Sequence, residues 1–404
     1  MDDTDYIVGL KALDHSPFYL SDDARARHIY VPGQTGVGKS ELLYNFIRYD
    51  FASARGLIFL DPHGDNALRA VSSVPKHRIL DTIYFDPLAD YTVCYNPIVE
   101  IPSDHRYGYA ADIATSFSHI WPDSWGTRME RILTQSILLL LHNTHRQHSL
   151  ADIPRLLVDT HYQRELLRTC KDQHVIDYWT LELPALIKKF GAEALQPVQN
   201  KIGQFADNPI LRRAIDGKST IDIAGIMDSG KILVCNFSKL MGDEPSRILG
   251  SLLVTRISQA AQARANKPEN ERQPVTLLID EFQNFASKSF ATILSEARKY
   301  KLNLVLAHQY LEQVPSALQH AVFGNAGTTI CFRIGAFDAP IFAKHLNQEE
   351  RELLDLPNFT ARVKTINDGR PSDAFRIEMV LLPSVVDSLQ RVRDNTRNRY
   401  AKQG

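Results

Sequence analysis

Apolar residues along this chain fall into two textures. Short runs rich in β-branched, aliphatic and aromatic residues stop at a turn or an acid. Longer stretches space apolar residues three and four apart. Arg27-His28-Ile29-Tyr30-Val31 is a run of the first kind, closed by Pro32-Gly33. Gly56–Leu60 is closed by Asp61-Pro62, and Thr82–Phe85 by Asp86-Pro87. Between the first two runs, Leu42, Leu43, Phe46 and Ile47 form one stripe and predict a helix from Lys39 to about Phe51. Strands that alternate with helices predict a parallel sheet.

The texture changes near residue 103. From Asp104 to about Gly217 the period is helical, as in Arg128–His142, Pro154–Cys170 and Leu195–Phe205, and strand-like runs disappear. They return at Lys231–Asn236, Val275–Ile279, Leu302–Leu306 and Thr328–Phe332, with a helix predicted over Ser246–Ala265. Ahead of the first strand, residues 1–26 read as a lead-in with a short strand at Phe18–Leu20. After Glu349 the chain reads as a small appendage with a turn at Asp368-Gly369. Its last stretch, Arg391–Gly404, sets five basic residues against Asp394 for a net charge of +4, the pattern of a solvated helix or frayed end.

Charge and cysteine content narrow the classes. The 404 residues hold 46 Lys and Arg against 47 Asp and Glu. That excludes coating of nucleic acid by bulk positive charge, but leaves room for a local basic channel. Cys94, Cys170, Cys235 and Cys331 lie far apart without a CxxC pair, so neither a disulfide framework nor a zinc site is expected, and a reducing cytoplasm fits. The longest apolar run, Ile137–Leu141, is far below the ~20 residues of a membrane-spanning helix. The acidic N-terminus lacks a signal pattern. A cytoplasmic protein without an integral membrane segment is expected, with docking on a membrane complex left to a partner.

The chemistry concentrates at Gly33-Gln34-Thr35-Gly36-Val37-Gly38-Lys39-Ser40, which matches GxxxxGK[ST] between a strand and a helix. Glycines let backbone N–H groups wrap phosphate oxygens, and the helix start adds its positive end. Lys39 would reach the β- and γ-phosphates of ATP, and the Ser40 hydroxyl would ligate Mg²⁺. Asp280-Glu281 follows a buried strand, where Asp280 can hold Mg²⁺ through water and Glu281 can polarise a water for attack. An acidic pair after a strand is also a common helix start. Gln309 ends the next strand at the same edge. His308 reads as structural, and Asp61 and His63 as second-rank or capping residues. A glutamate with a glutamine suits water as nucleophile and disfavours a kinase. A strand between the two motif strands, read from Ile232–Cys235 and the earlier strands that intervene in the chain, points to the RecA-like branch of P-loop ATPases. Such rings complete their sites with a neighbour's arginine, for which Arg298 and Arg333 are candidates.

At this point the sequence resembles the HerA/FtsK superfamily, and within it the TraG/TraD-like coupling ATPases with a type IV secretion DNA-binding domain. GQTGVGKS, FLDPHGDN, YFDPLADYTVCYNPI, WGTRMERIL, ILVCNFSKL, LLIDEFQNFASKSFATILSEARKYKLNLVLAHQYLEQV and FGNAGTTICFRIGAFDA carry the resemblance. They span roughly residues 17–346. The resemblance implies a hexameric ring that moves single- or double-stranded DNA with ATP. It makes Gln309 the family's glutamine motif, Arg298 the trans arginine finger and Arg333 a second arginine near the interface. Many coupling proteins carry N-terminal transmembrane helices, and none is read here.

The expected architecture is α/β: a RecA-like P-loop NTPase core with a mostly parallel sheet, interrupted by an inserted all-α domain. Its parts are 1–103 and 226–349 for the core, 104–225 for the insertion, and 350–404 for the appendage and basic tail. The expected function is an ATP-hydrolysing hexameric DNA translocase for DNA transfer or processing. Its expected partners are DNA, further copies of itself, and a relaxase, secretion-channel or nuclease. The competing function is a nucleotide-gated adaptor that recruits a nucleoprotein or protein substrate.

Overall fold

The computed structural model describes residues 7–285, 288–367, 369–383 and 387–402. The expected turn residue Asp368 and the outermost residues of lead-in and tail lie outside them. Strands are numbered in chain order: β1 (Ile7–Lys11), β2 (Pro17–Tyr19), β3 (Ile29–Pro32), β4 (Gly56–Asp61), β5 (Thr82–Phe85), β6 (Ile232–Asn236), β7 (Val275–Ile279), β8 (Leu302–His308), β9 (Thr328–Cys331), β10 (Thr360–Lys364), β11 (Ile366–Asn367), β12 (Arg370–Pro371) and β13 (Phe375–Met379). Eleven of them form one sheet in the order β2-β1-β13-β10-β9-β3-β8-β7-β4-β6-β5, while β11 and β12 pair separately.

The seven strands from β9 to β5 are parallel. Strands β3, β4, β6, β7 and β8 are buried along their whole length, which is why they read as unbroken apolar runs. Alternate side chains feed two cores. Tyr30, Ile58 and Leu60 point to the face that also holds Leu138, Leu252 and Ile202. Val31, Leu57 and Phe59 point to the face covered by Leu42, Phe46, Val71 and Val392.

Between β5 and β6 the described residues contain helices and no strand, from Arg106–Ser116 to Ile223–Asp228. Their apolar residues join the first core directly, so this helical stretch packs onto the sheet.

Two expectations are corrected. The strand between β3 and the acidic strand β7 is β8, which follows β7 in sequence. The Ile232–Cys235 run lies instead beyond β4, as β6. The residues after 349 are not a free appendage, because β10 and β13 extend the sheet in antiparallel fashion and β1 pairs with β13. The tail helix Leu389–Tyr400 covers the edge strand β5. Its Asn395 side chain donates to the carbonyls of Ile79 and Thr82, and its Thr396 hydroxyl accepts from the Tyr84 N–H at 3.0 Å. An otherwise open sheet edge is thereby satisfied.

Candidate functional site

The strands β3, β8, β7 and β4 are neighbours, and their C-terminal ends meet at one edge, where α/β sheets hold ligands. The Gly33–Ser40 loop leaves β3 there. It is tied on both sides, with the Gly33 N–H donating to the His308 carbonyl and the Gln34 N–H to the Arg333 carbonyl. Gly36 and Gly38 sit at φ 77° and 119°, which a side chain resists. Gly38 is also the N-cap of the helix Lys39–Ala52 and, being glycine, gives that helix no side-chain capping hydrogen bond. Its first N–H groups are therefore left for an anion.

The buried Lys39 ammonium donates to the Gly33 carbonyl at 2.5 Å and the Gln34 carbonyl at 2.9 Å. Burial lowers its pKa, and the carboxylates of Glu281 and Asp280 oppose that shift. Ser40 is exposed to the same cavity of about 400 Å³, together with Asp280, Glu281 and Gln309.

Asp280 is only 4% exposed. One carboxylate oxygen accepts from Asn66 Nδ2 at 3.1 Å and the other from the Glu281 N–H at 3.0 Å. Burial, with the Asp61 and Glu281 carboxylates nearby, pushes its pKa up to about 7. A buried acid so crowded by other acids calls for a cation. Among the described residues no cluster of three or more His, Cys, Asp or Glu forms a metal cage. Mg²⁺ takes one or two protein oxygens in such sites and completes its shell with phosphate and water. The oxygens of Ser40 and Asp280 fit that demand.

Glu281 adopts φ 48°, ψ 55°, a left-handed conformation that a residue with a long side chain rarely takes. Its N–H is held by Asp280, and its carbonyl accepts from Asn284 Nδ2 at 3.0 Å. Its carboxylate accepts two amide donors, Gln309 Nε2 and Gln283 Nε2, each at 2.8 Å. Gln283 donates its second hydrogen to Gln313 Oε1 at 3.0 Å. A strained backbone with a doubly held carboxylate fixes this glutamate in one orientation, a pattern concentrated at active sites.

The remaining predicted residues divide. Gln309 reaches the cavity. Asp61 serves the local turn, its two oxygens accepting from the His63 and Ala67 N–H groups. His308 is buried under Tyr30, whose hydroxyl lies 3.2 Å from its Nε2, and burial lowers its pKa to about 3. Arg298 is not among the residues lining the cavity. It is half exposed and pairs with Asp23 at 3.4 Å. Arg333 stands beside its own chain's phosphate loop. It donates to Asn358 Oδ1, the Leu356 carbonyl and, at 3.4 Å, Gln34 Oε1. No role was expected for Gln283, Gln313 or Asn66, although each lies in a stretch that carries the family resemblance; Gln283 and Gln313 sit in short 3₁₀ turns and Asn66 in the first turn of the helix Asp65–Ser72.

The fold and the loop define a RecA-like P-loop NTPase architecture. Residues 274–346 match the sequence family described as the TraM recognition site of TraD and TraG. Among curated proteins none matches the chain in sequence. Among solved structures, the bacterial conjugative coupling protein TrwB lacking its first 70 residues superposes with a TM-score of 0.68. The two share 17% identity over 94% of this chain and 90% of that one. TrwB in complex with ADP and Mg²⁺ gives 0.66 at 16% identity, covering 92% and 89%. VirB4 of Thermoanaerobacter pseudethanolicus gives 0.64 at 13% identity, covering 95% and 98%. The chain thus resembles the coupling protein TrwB and VirB4 in fold over nearly its whole length. Among the described residues no helix is long and apolar enough to cross a membrane.

Proposed function

We propose that the chain hydrolyses ATP and uses it to move DNA, as a coupling-protein-like motor of a conjugative or type IV transfer system. One observation carries the hydrolytic part: Lys39, Asp280, Glu281 and Gln309, from three adjacent strand ends, converge on one cavity, with Glu281 held by two amides. Lys39 and the loop N–H groups bind the phosphates. Ser40 and Asp280 would hold Mg²⁺, which would neutralise phosphate charge. Glu281, fixed by Gln283 and Gln309, orients the attacking water and takes its proton.

The DNA-moving part and the hexamer rest on the likeness of fold. In such a ring Arg298, on the surface and away from its own cavity, is available to a neighbour's site. Arg333, bonded to its own chain's loop, acts in cis by holding Gln34. A near-neutral chain suits a ring, because positive charge is needed only where phosphates pass. A second reading draws on the match to a TraM recognition site, which supports docking of a nucleoprotein partner. The matched stretch also contains Asp280, Glu281 and Gln309, so such a partner would bear on the hydrolytic side of the cavity.

The test is ATP turnover with and without DNA, over a range of salt, with Lys39→Ala as the control. Turnover raised by DNA and abolished by the substitution supports the motor. Turnover indifferent to DNA at every salt concentration removes DNA from the proposal.

A further inference from the structure

Phe359 has no part in the chemistry described above, yet it lines the same cavity as Lys39 and Ser40. Its backbone lies at φ 60°, the left-handed region that a bulky side chain avoids. Two hydrogen bonds hold it there. The Phe359 N–H donates to the Val37 carbonyl of the phosphate loop at 2.7 Å, and its carbonyl accepts from the Met379 N–H at 2.8 Å. A Cβ placed on Gly38 would lie 3.0 Å from the Phe359 ring, so the ring rests on the loop just ahead of Lys39. Burial does not account for this strain, since the residue remains 39% exposed while the nearby Phe332 is fully buried. A strained, half-open aromatic ring tied to a phosphate loop is built to meet something in the cavity.

The cavity has a direction. Gln309 flanks the loop at Gln34 and Thr35 and holds the carboxylate of Glu281, which marks the end where the terminal phosphate reacts. A nucleoside that leaves the phosphates away from Gln309 passes Ser40 and Glu41, which follow Gly38 in the chain, and Phe359 lines the same cavity in contact with Gly38. We propose that Phe359 is the platform on which the base of the bound nucleotide stacks. This rests on the phosphate-site reading above. A phenyl ring has a π-face and no hydrogen-bonding atom, so it favours purine over pyrimidine nucleotides and does not separate adenine from guanine.

The test uses the full chain with Mg²⁺ and four ligands, ATP, GTP, CTP and inorganic triphosphate, measured by equilibrium binding. Phe359→Leu keeps apolar bulk and the same backbone demand without the π-face, and Phe359→Trp restores a larger face. Stacking on one ring predicts that Phe359→Leu weakens ATP and GTP binding about tenfold. It leaves inorganic triphosphate unchanged, while Phe359→Trp binds ATP at least as tightly as the parent. Melting temperatures of the variants identify any loss of folding. The platform is overturned if Phe359→Leu keeps its purine preference, or if it loses ATP and inorganic triphosphate equally. Lys39→Ala separates the two levels. If it abolishes all four ligands while Phe359→Leu changes none, only the platform falls. If the parent chain binds none of the four, the phosphate site falls and takes the platform with it.

Discussion

Asp280→Asn should make this protein more stable and less able to bind its metal–nucleotide ligand, and the gain should depend on pH. The side chain is 4% exposed and its carboxyl is pushed from an ordinary 3.8 up to about 7, chiefly by burial and then by Asp61 and Glu281. Below pH ~4 the group is protonated in both folded and unfolded chains and costs nothing. Between about 4 and 7 the unfolded chain releases the proton while the folded chain retains it, so stability falls as pH rises and levels off above 7. At 1.36 kcal/mol per pKa unit, the full penalty is roughly 4 kcal/mol. Asparagine removes it but weakens one of the two hydrogen bonds, from Glu281 or Asn66, at a cost of about 1 kcal/mol. The net gain is roughly 3 kcal/mol at pH 8 and close to zero at pH 5, where only about a third of the penalty has developed. For a chain of this length that is a rise in Tm on the order of 3 °C at pH 8. Thermal melting of parent and variant at both pH values, without nucleotide or Mg²⁺, is the assay. A variant that melts lower than the parent by the same margin at pH 5 and pH 8 would show that Asp280 carries no such strain.

Two further substitutions separate binding from hydrolysis. Glu281→Gln should leave ATP affinity within about threefold of the parent and lower turnover roughly 100- to 10,000-fold, the usual worth of a positioned base. Equal loss of affinity would place the glutamate in binding instead. Arg298→Ala should keep nucleotide binding and lower turnover at least about 1000-fold, as expected for a charge supplied by a neighbour. Mixing it with Lys39→Ala copies should restore part of the turnover at shared sites, and no restoration would argue that Arg298 does not act in trans.

The phosphate loop was legible because eight contiguous residues carry its chemistry and a buried strand and an amphipathic helix flank it. The placement of Asp280 and Gln309 was legible for a related reason: each follows a mostly apolar strand, and parallel strands bring their ends to one edge. Gln283 and Asn66 were not: Gln283 folds back in a tight turn onto a carboxylate two residues away, Asn66 meets one 214 residues away from the start of a helix, and neither contact has a period. The strand order was misread where chain order and spatial order part, with β8 inserted between β3 and β7 although it comes last of the three. The strand Thr360–Lys364 alternates buried and half-buried positions only in part, and nothing local shows that β9 is waiting to pair with it. The tail helix looked solvated because its buried side is small and polar. Val392, Asn395 and Thr396 dock it through hydrogen bonds and one apolar contact face, which a hydrophobic stripe does not reveal.

ATP-driven movement along DNA is the central claim, and displacement of streptavidin from a biotinylated DNA end measures it directly on single- or double-stranded substrates. The account predicts displacement by the parent chain with ATP and Mg²⁺, and none by Glu281→Gln under the same conditions. A parent chain that hydrolyses ATP in the presence of DNA yet never displaces streptavidin from either substrate would contradict it.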